Sequence, residues 1–361
     1  MLKKKLTCVF LSLIILGGIF ITSCSGNKPV EKKSETLSES YDKLLKKLVF
    51  KGECYVTAGG KEIYDRGIDY ANKDKKIKNN KYTLYPAASV TKQFTAAAVM
   101  ILCERGKLSL KDKIGKFFPD YKYGESITVD DLLRMRSGIP DYINKKTSEV
   151  FPEGYNPETH SARENRECIY KKIKTLPLNF KPGEKFEYTN SGYFLLAEIV
   201  DKLSGTSYKS FLKKEFFDKL GMSSTGFIDD IKNSLDNYAR PYGDKSKSLD
   251  INIKGIAYGS SDIVTNAVDL SKWAYALQSG KVISKNALSV MTEAEDKYGC
   301  GLYVSDDKTF AHHTGSFVPY RSALLFTPGD KKFNCVVFTN SGFVQVDYLA
   351  ECLYKEYYKK R

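Results

Sequence analysis

Tyr85-Pro86-Ala87-Ala88-Ser89-Val90-Thr91-Lys92-Gln93-Phe94 is the stretch on which the reading of this 361-residue chain turns. Proline offers no amide N–H and holds the residue before it in extended backbone, so no helix runs through Pro86. Tyr82 to Ala88 therefore reads as strand and turn, and the apolar run Phe94 to Cys103 as a buried helix. Ser89 stands at the junction, beside unpaired backbone N–H groups and the positive end of a helix dipole. Lys92, one turn on, falls on the same helical face. A buried lysine loses its proton readily, which makes it a credible base for that hydroxyl. Serine followed three residues later by lysine also occurs at Ser25, Ser40, Ser210 and Ser305, where a cap and a solvated lysine suffice. Only Ser89 combines the pattern with such a junction.

Two further motifs lie downstream in a fixed order: Tyr188-Thr189-Asn190, opening a second apolar helix, and His313-Thr314-Gly315, on a strand. Ser-x-x-Lys, Tyr-x-Asn and His-Thr-Gly together resemble the serine β-lactamase and penicillin-binding protein superfamily. Within it, the chain is most similar to the branch of class C β-lactamases, D-alanyl-D-alanine carboxypeptidases and related esterases, which has tyrosine in the middle motif. Leu132-Leu133, Ser137-Gly138-Ile139-Pro140-Asp141-Tyr142, Tyr188 to Tyr193 and Thr327-Pro328-Gly329 extend the likeness over nearly everything after residue 45.

The resemblance implies a β-lactamase/transpeptidase-like α/β (α+β) fold. An antiparallel sheet from N- and C-terminal strands would be flanked by helices, with an all-helical insert and the site in the cleft between. It implies Ser89 as the acylated nucleophile and Lys92, Tyr188 and Asn190 as its catalytic partners. The amides of Ser89 and Ser316 would form the oxyanion hole, and His313, Thr314 and Gly315 would bind substrate. The expected activity is that of a serine hydrolase, D-Ala-D-Ala carboxypeptidase-like or a related amide or ester hydrolase. The alternatives are an esterase or weak β-lactamase and, in another class, a silent receptor for cell-wall fragments. Class C enzymes usually carry Lys-Thr-Gly, and the family often has His-Thr where Met135-Arg136 stand here. Efficient penicillin hydrolysis is therefore not expected, whereas acyl-enzyme chemistry is.

Residue chemistry sharpens these roles. A phenol ionises near pH 10, so either a tyrosinate favoured by a nearby ammonium or a neutral Lys92 could deprotonate Ser89, and the two share one titration. The Asn190 amide suits binding both Lys92 and a substrate carbonyl. Gly315 is expected to admit a substrate backbone. His313, with an ordinary imidazole pKa of about 6.5, is expected to sense a substrate carboxylate in a pH-dependent way; failing that, Arg321 is the nearest cation in sequence. His312, by strand alternation, faces away.

The rest of the chain sets the context. Lys3-Lys4-Lys5, the apolar Leu6 to Phe20 and Ile21-Thr22-Ser23-Cys24 read as a lipoprotein signal over residues 1–23. Cys24 is then the lipidation site. Residues 24–39 read as a polar tether and 40–361 as one catalytic domain, with sheet from about 48–88 and 296–340 and helices over about 107–290. The expected location is the outer side of the cell membrane. Within the domain, Phe50–Ala58 and Lys61–Tyr70 read as a hairpin, Asn190–Leu203 as a helix stopped by Gly205, and Val344–Tyr358 as a closing helix. A formal charge of +14, with lysines interspersed among acids, forms no nucleic-acid motif. Three histidines and cysteines without Cys-x-x-Cys spacing suggest neither metal nor cofactor. The expected substrate is a small molecule or peptide, such as a peptidoglycan stem peptide, an ester or a β-lactam, met by a monomer.

Overall fold

The computed structural model describes residues 35–143, 146–231, 235–242, 253–329, 332–342 and 344–361. Cys24 and its leader lie outside the described residues.

Thr36 caps helix α1 (Leu37–Lys47), accepting from the Glu39 amide while Glu39 reaches back to the Thr36 N–H. Such a reciprocal box satisfies two otherwise orphaned donors. This helix starts within residues 24–39, since its cap sits inside the polar run that resembles a tether. Strands β1 (Gly52–Ala58) and β2 (Lys61–Ile68) follow as a hairpin. Both residues of its turn, Gly59 and Gly60, have positive φ, 59° and 77°, the geometry that matches strand twist and favours glycine.

Helix α2 (Thr91–Glu104) holds Lys92 of the first motif, α3 (Asn190–Ser204) opens on Asn190 of the second, and α4 (Ala267–Gln278) packs on α2. The C-terminal strands are β3 (Tyr303–Val304), β4 (Ala311–Phe317), β5 (Tyr320–Phe326) and β6 (Phe333–Thr339), and α5 (Val346–Lys359) closes the chain. The six strands form one antiparallel sheet in the order β2-β1-β6-β5-β4-β3. Cys54 of β1 pairs with Val337 of β6, so the N-terminal hairpin completes a sheet begun at the C-terminus.

Both faces of the sheet are covered. Phe333, Cys335 and Val337 of β6 pack with Tyr41 and Leu45 of α1 and Leu349 and Leu353 of α5. Val336 and Phe338 face the opposite core with Phe94 and Trp273. Burial on both faces goes with the unbroken apolar run Cys335 to Phe338 in β6, where an alternating pattern would mark a half-exposed strand. Helix α2 is buried nearly throughout, and Phe94 stacks on Trp273 of α4 at 3.9 Å between ring centres.

Among its described residues the inserted region is not purely helical. Ile263–Thr265 lies between Tyr85–Pro86 and Gly226–Phe227 and pairs with both in a small three-stranded sheet. Strands of two or three residues are too short to show alternation, so the expected all-helical insert is corrected to this extent. The small sheet anchors the nucleophile segment: Ala87 N–H donates to Ile263 O at 2.8 Å.

Candidate active site

Ser89 lies in a 3₁₀ turn, Ala88–Val90, that runs directly into α2. Ala88 is held at φ 46°, a left-handed conformation that costs an ordinary residue about 1–3 kcal/mol and persists where surroundings impose it. Ser322 of β5 supplies part of that restraint, its hydroxyl donating to Ala87 O at 2.7 Å. The turn is thus gripped between the small sheet and the large one.

Lys92 is fully buried. Its Nζ lies 3.2 Å from Ser89 Oγ, 2.7 Å from Asn190 Oδ1 and 3.0 Å from Ser260 O. It also stands 4.8 Å from the centre of the Tyr188 ring and 5.6 Å from that of Tyr193. Burial brings the ammonium down to about pKa 7, with Asp141 pulling the other way. The Tyr188 phenol moves oppositely: burial pushes it up, against a hydrogen bond with Ser89 that lowers it. Near neutrality the site therefore holds a lysine that gives up its proton easily and a phenol that keeps its own.

Asn190 opens α3, after Thr189 caps the helix by accepting from Ser191 N–H. Its Nδ2 donates to Asp141 Oδ2 at 2.8 Å, so one amide hydrogen serves an acid of the chain. Burial raises the Asp141 carboxyl, against hydrogen bonds from Ile143 and Asn190 that lower it. The Ser260 carbonyl is placed by a loop tied to α2, where Thr95 Oγ1 donates to Gly259 O at 2.6 Å. The sequence motifs mark neither Asp141 nor Ser260 as a site residue. Asp141 stands in the stretch Ser137 to Tyr142 that carries the family likeness, whereas a backbone carbonyl such as that of Ser260 has no sequence signal.

Strand β4 forms the other wall. A cleft of about 560 Å³ is lined by Ser89, Tyr188, His313, Thr314, Gly315 and Ser316, with Arg321, Tyr303 and Asp347 around them. The ladder between β3 and β4 ends at His312, so the outer edge of β4 beyond it has no strand partner among the described residues. Phe317 pairs with Tyr320 across a two-residue turn, and antiparallel alternation then turns the Ser316 N–H away from β5. Ser316 Oγ accepts from Arg321 Nη1 at 2.6 Å, which sets a guanidinium in the cleft. His312 lies outside this wall, stacked on Tyr303.

Two expectations are corrected. His313 lines the cleft but is only 2% exposed. Its Nδ1 lies 2.6 Å from Thr314 O and its Nε2 3.3 Å from the Tyr298 hydroxyl, so a neutral ring donates to the carbonyl and accepts from the phenol. Burial and the nearby Lys92 push the imidazole down to about pKa 3. It is not a residue that titrates near 6.5. Gly315 does not make room for substrate: a Cβ there would stand 2.2 Å from Ala87 O and 2.9 Å from Ala88 Cβ. Its missing side chain admits the nucleophile turn.

The chain is similar to known proteins. PbpX of Bacillus subtilis (strain 168), a protein named for penicillin binding, is 27% identical over 288 residues, covering 77% of this chain and 70% of its own. Protein flp of Staphylococcus aureus (strain NCTC 8325 / PS 47) is 26% identical over 328 residues, 82% of this chain, which spans 61% of flp. The crystal structure of a D-amino acid amidase from Ochrobactrum anthropi SV3 superposes with a TM-score of 0.76 at 21% identity, covering 90% of this chain and 100% of that one. The model of the Beta-lactamase family matches residues 53–350, and the chain belongs to that β-lactamase/transpeptidase-like family of serine hydrolases.

Proposed function

We propose that this protein forms an acyl-enzyme at Ser89 and cleaves short peptides, amides or esters outside the cytoplasmic membrane, most closely in the manner of a D-Ala-D-Ala carboxypeptidase. The observation that carries the reading is the contact of buried Lys92 with Ser89 at 3.2 Å. Neutral Lys92 takes the Ser89 proton as Oγ adds to the substrate carbonyl. The oxyanion meets the amides of Ser89 and Ser316; losing one such donor typically costs about 3 kcal/mol of transition-state stabilisation. The Tyr188 phenol, protonated and beside Ser89, hands a proton to the departing amine or alcohol. The Lys92 ammonium returns its proton to the Tyr188 phenolate; water then adds to the acyl carbonyl with the neutral Lys92 again as base, and that proton passes on to Ser89 Oγ as the acyl group leaves.

Arg321, the cation on the cleft wall, would hold the free carboxylate of a peptide end. Relatives named for penicillin binding and for D-amino acid amide hydrolysis support D-configured peptide substrates. Cys24, behind its apolar leader, would tether the catalytic body to the membrane face.

Intact-mass analysis tests the reading. The full chain is incubated with a penicillin, an activated nitrophenyl ester and a D-alanyl-D-alanine peptide. A stoichiometric adduct on Ser89 and release of D-alanine are expected. An adduct that persists in Ser89→Ala would sink the assignment.

A further inference from the structure

We infer that Asp141 is a positioning residue of the reaction: it fixes the Asn190 amide with its oxygen toward Lys92, and so holds the lysine over Ser89. The inference rests on the serine–lysine reading above.

A primary amide can present either end to a neighbour. The Lys92 ammonium offers only donors, and the neutral amine needs its one lone pair for the Ser89 hydroxyl, so an amide NH₂ turned toward Nζ would set donor against donor or compete for that lone pair. Asp141 settles the choice. Its Oδ2 accepts from Asn190 Nδ2 at 2.8 Å, and Asn190 Oδ1 is thereby left 2.7 Å from Lys92 Nζ. The acid is itself held: Oδ1 accepts from Ile143 N–H at 2.9 Å, and Ser191 of α3 clamps the segment by donating to Pro140 O at 2.6 Å and accepting from Tyr142 N–H at 3.1 Å. Asp141, Asn190, Lys92 and Ser89 thus form a chain of directed hydrogen bonds from the helical region to the nucleophile.

Charge gives a second consequence. Besides Asp141, the groups facing Lys92 are the Tyr188 and Tyr193 rings, the Ser260 carbonyl, Ser89 and His313. The phenols of Tyr188 and Tyr193 are pushed up and His313 is held neutral by burial, so none carries charge near pH 7. Asp141 is the acid that raises the lysine, against the burial that lowers it.

The test is the pH profile of Ser89 acylation by a nitrophenyl ester, followed by intact mass on the full chain. Asp141→Asn removes the charge and keeps one acceptor oxygen, which can face Asn190 at the expense of the Ile143 N–H. Its acid limb should move about 0.5–1 pH unit lower than in the wild type. Asp141→Ala removes the acceptor as well and should lose about tenfold more of the high-pH plateau than Asp141→Asn. The near-isosteric asparagine keeps the test open if the alanine variant fails to fold. An unmoved limb in Asp141→Asn overturns the inference, as does an Asp141→Ala plateau equal to that of Asp141→Asn. A wild type that never acylates Ser89 overturns the serine–lysine reading itself, whereas normal wild-type acylation with unmoved variants removes only the role of Asp141.

Discussion

A Cβ on Gly315 would stand 2.2 Å from the carbonyl oxygen of Ala87, so strand β4 and the nucleophile turn approach as closely as two backbones allow. Ala87 O also receives the Ser322 hydroxyl, and Ala88 beside it is already strained. Gly315→Ala must push the turn away. We expect acylation at Ser89 to fall at least ~100-fold, because a displacement near 1 Å costs about that much. Folding stability should drop by an amount typical of overpacking, about 1–3 kcal/mol, read as a lower thermal midpoint. Labelling rates and melting curves check this; a Gly315→Ala protein acylated at the wild-type rate would refute the proposed grip.

Acylation should rise with pH and level off above about 7, since only neutral Lys92 can accept the Ser89 proton. Below that value the slope should be about tenfold per pH unit. Tyr188→Phe should lower the plateau about 10- to 100-fold without moving the limb, because the phenol is pushed up and does not titrate there. If the limb vanished in Tyr188→Phe, tyrosinate would be the base instead.

Much of the site was legible because its chemistry falls within a single helical turn. Ser89 and Lys92 lie three apart on one face, and Tyr188 precedes a helix whose cap, apolar face and Gly205 stop are all local signals. The sheet was legible through its glycine turn and apolar runs. What local signals could not carry is depth. His313 and a solvent-facing histidine are written with the same letter, yet burial decides whether the ring titrates. The role of Gly315 depends on Ala87, which arrives from far along the chain. The Ser260 carbonyl is a backbone atom, and the strands Gly226–Phe227 and Ile263–Thr265 exist only through pairing with each other and with Tyr85–Pro86.

Selection of a substrate carboxylate should depend on Arg321 and be flat in pH. His313 is held neutral by burial, with a value pushed down to about 3. The ratio of kcat/KM for a carboxylate-bearing substrate to that for a neutral ester should stay constant between about pH 5.5 and 8.5, the interval around an ordinary imidazole. Arg321→Gln should cut that ratio about tenfold, the scale of a lost charge-assisted hydrogen bond. A ratio that falls through pH 6.5 in the wild type would restore His313 as the sensor.

Glu53 should make the fold less stable as pH rises. It is fully buried in β1, and neither carboxyl oxygen has a hydrogen-bond partner among the described residues. Burial, with Asp65 beside it, pushes the carboxyl from 4.5 up to about 9. The folded value lies above the unfolded one, so the folded state favours the protonated acid. Above pH 4.5 the unfolded chain releases this proton while the folded chain keeps it until about 9. Across that window Glu53 costs stability at a rate approaching about 1.4 kcal/mol per pH unit. Glu53→Gln cannot ionise and retains nearly the same shape. Urea melts at pH 5.5, 7 and 8.5 (roughly spanning the window between the two values) should show the glutamine variant gaining on the wild type at each step. The active site is a poor alternative cause, since Lys92 is present in both proteins and cancels in the difference. A gap between variant and wild type that stays constant with pH would mean that Glu53 is ionised in the folded state, with Lys81 as its counter-charge.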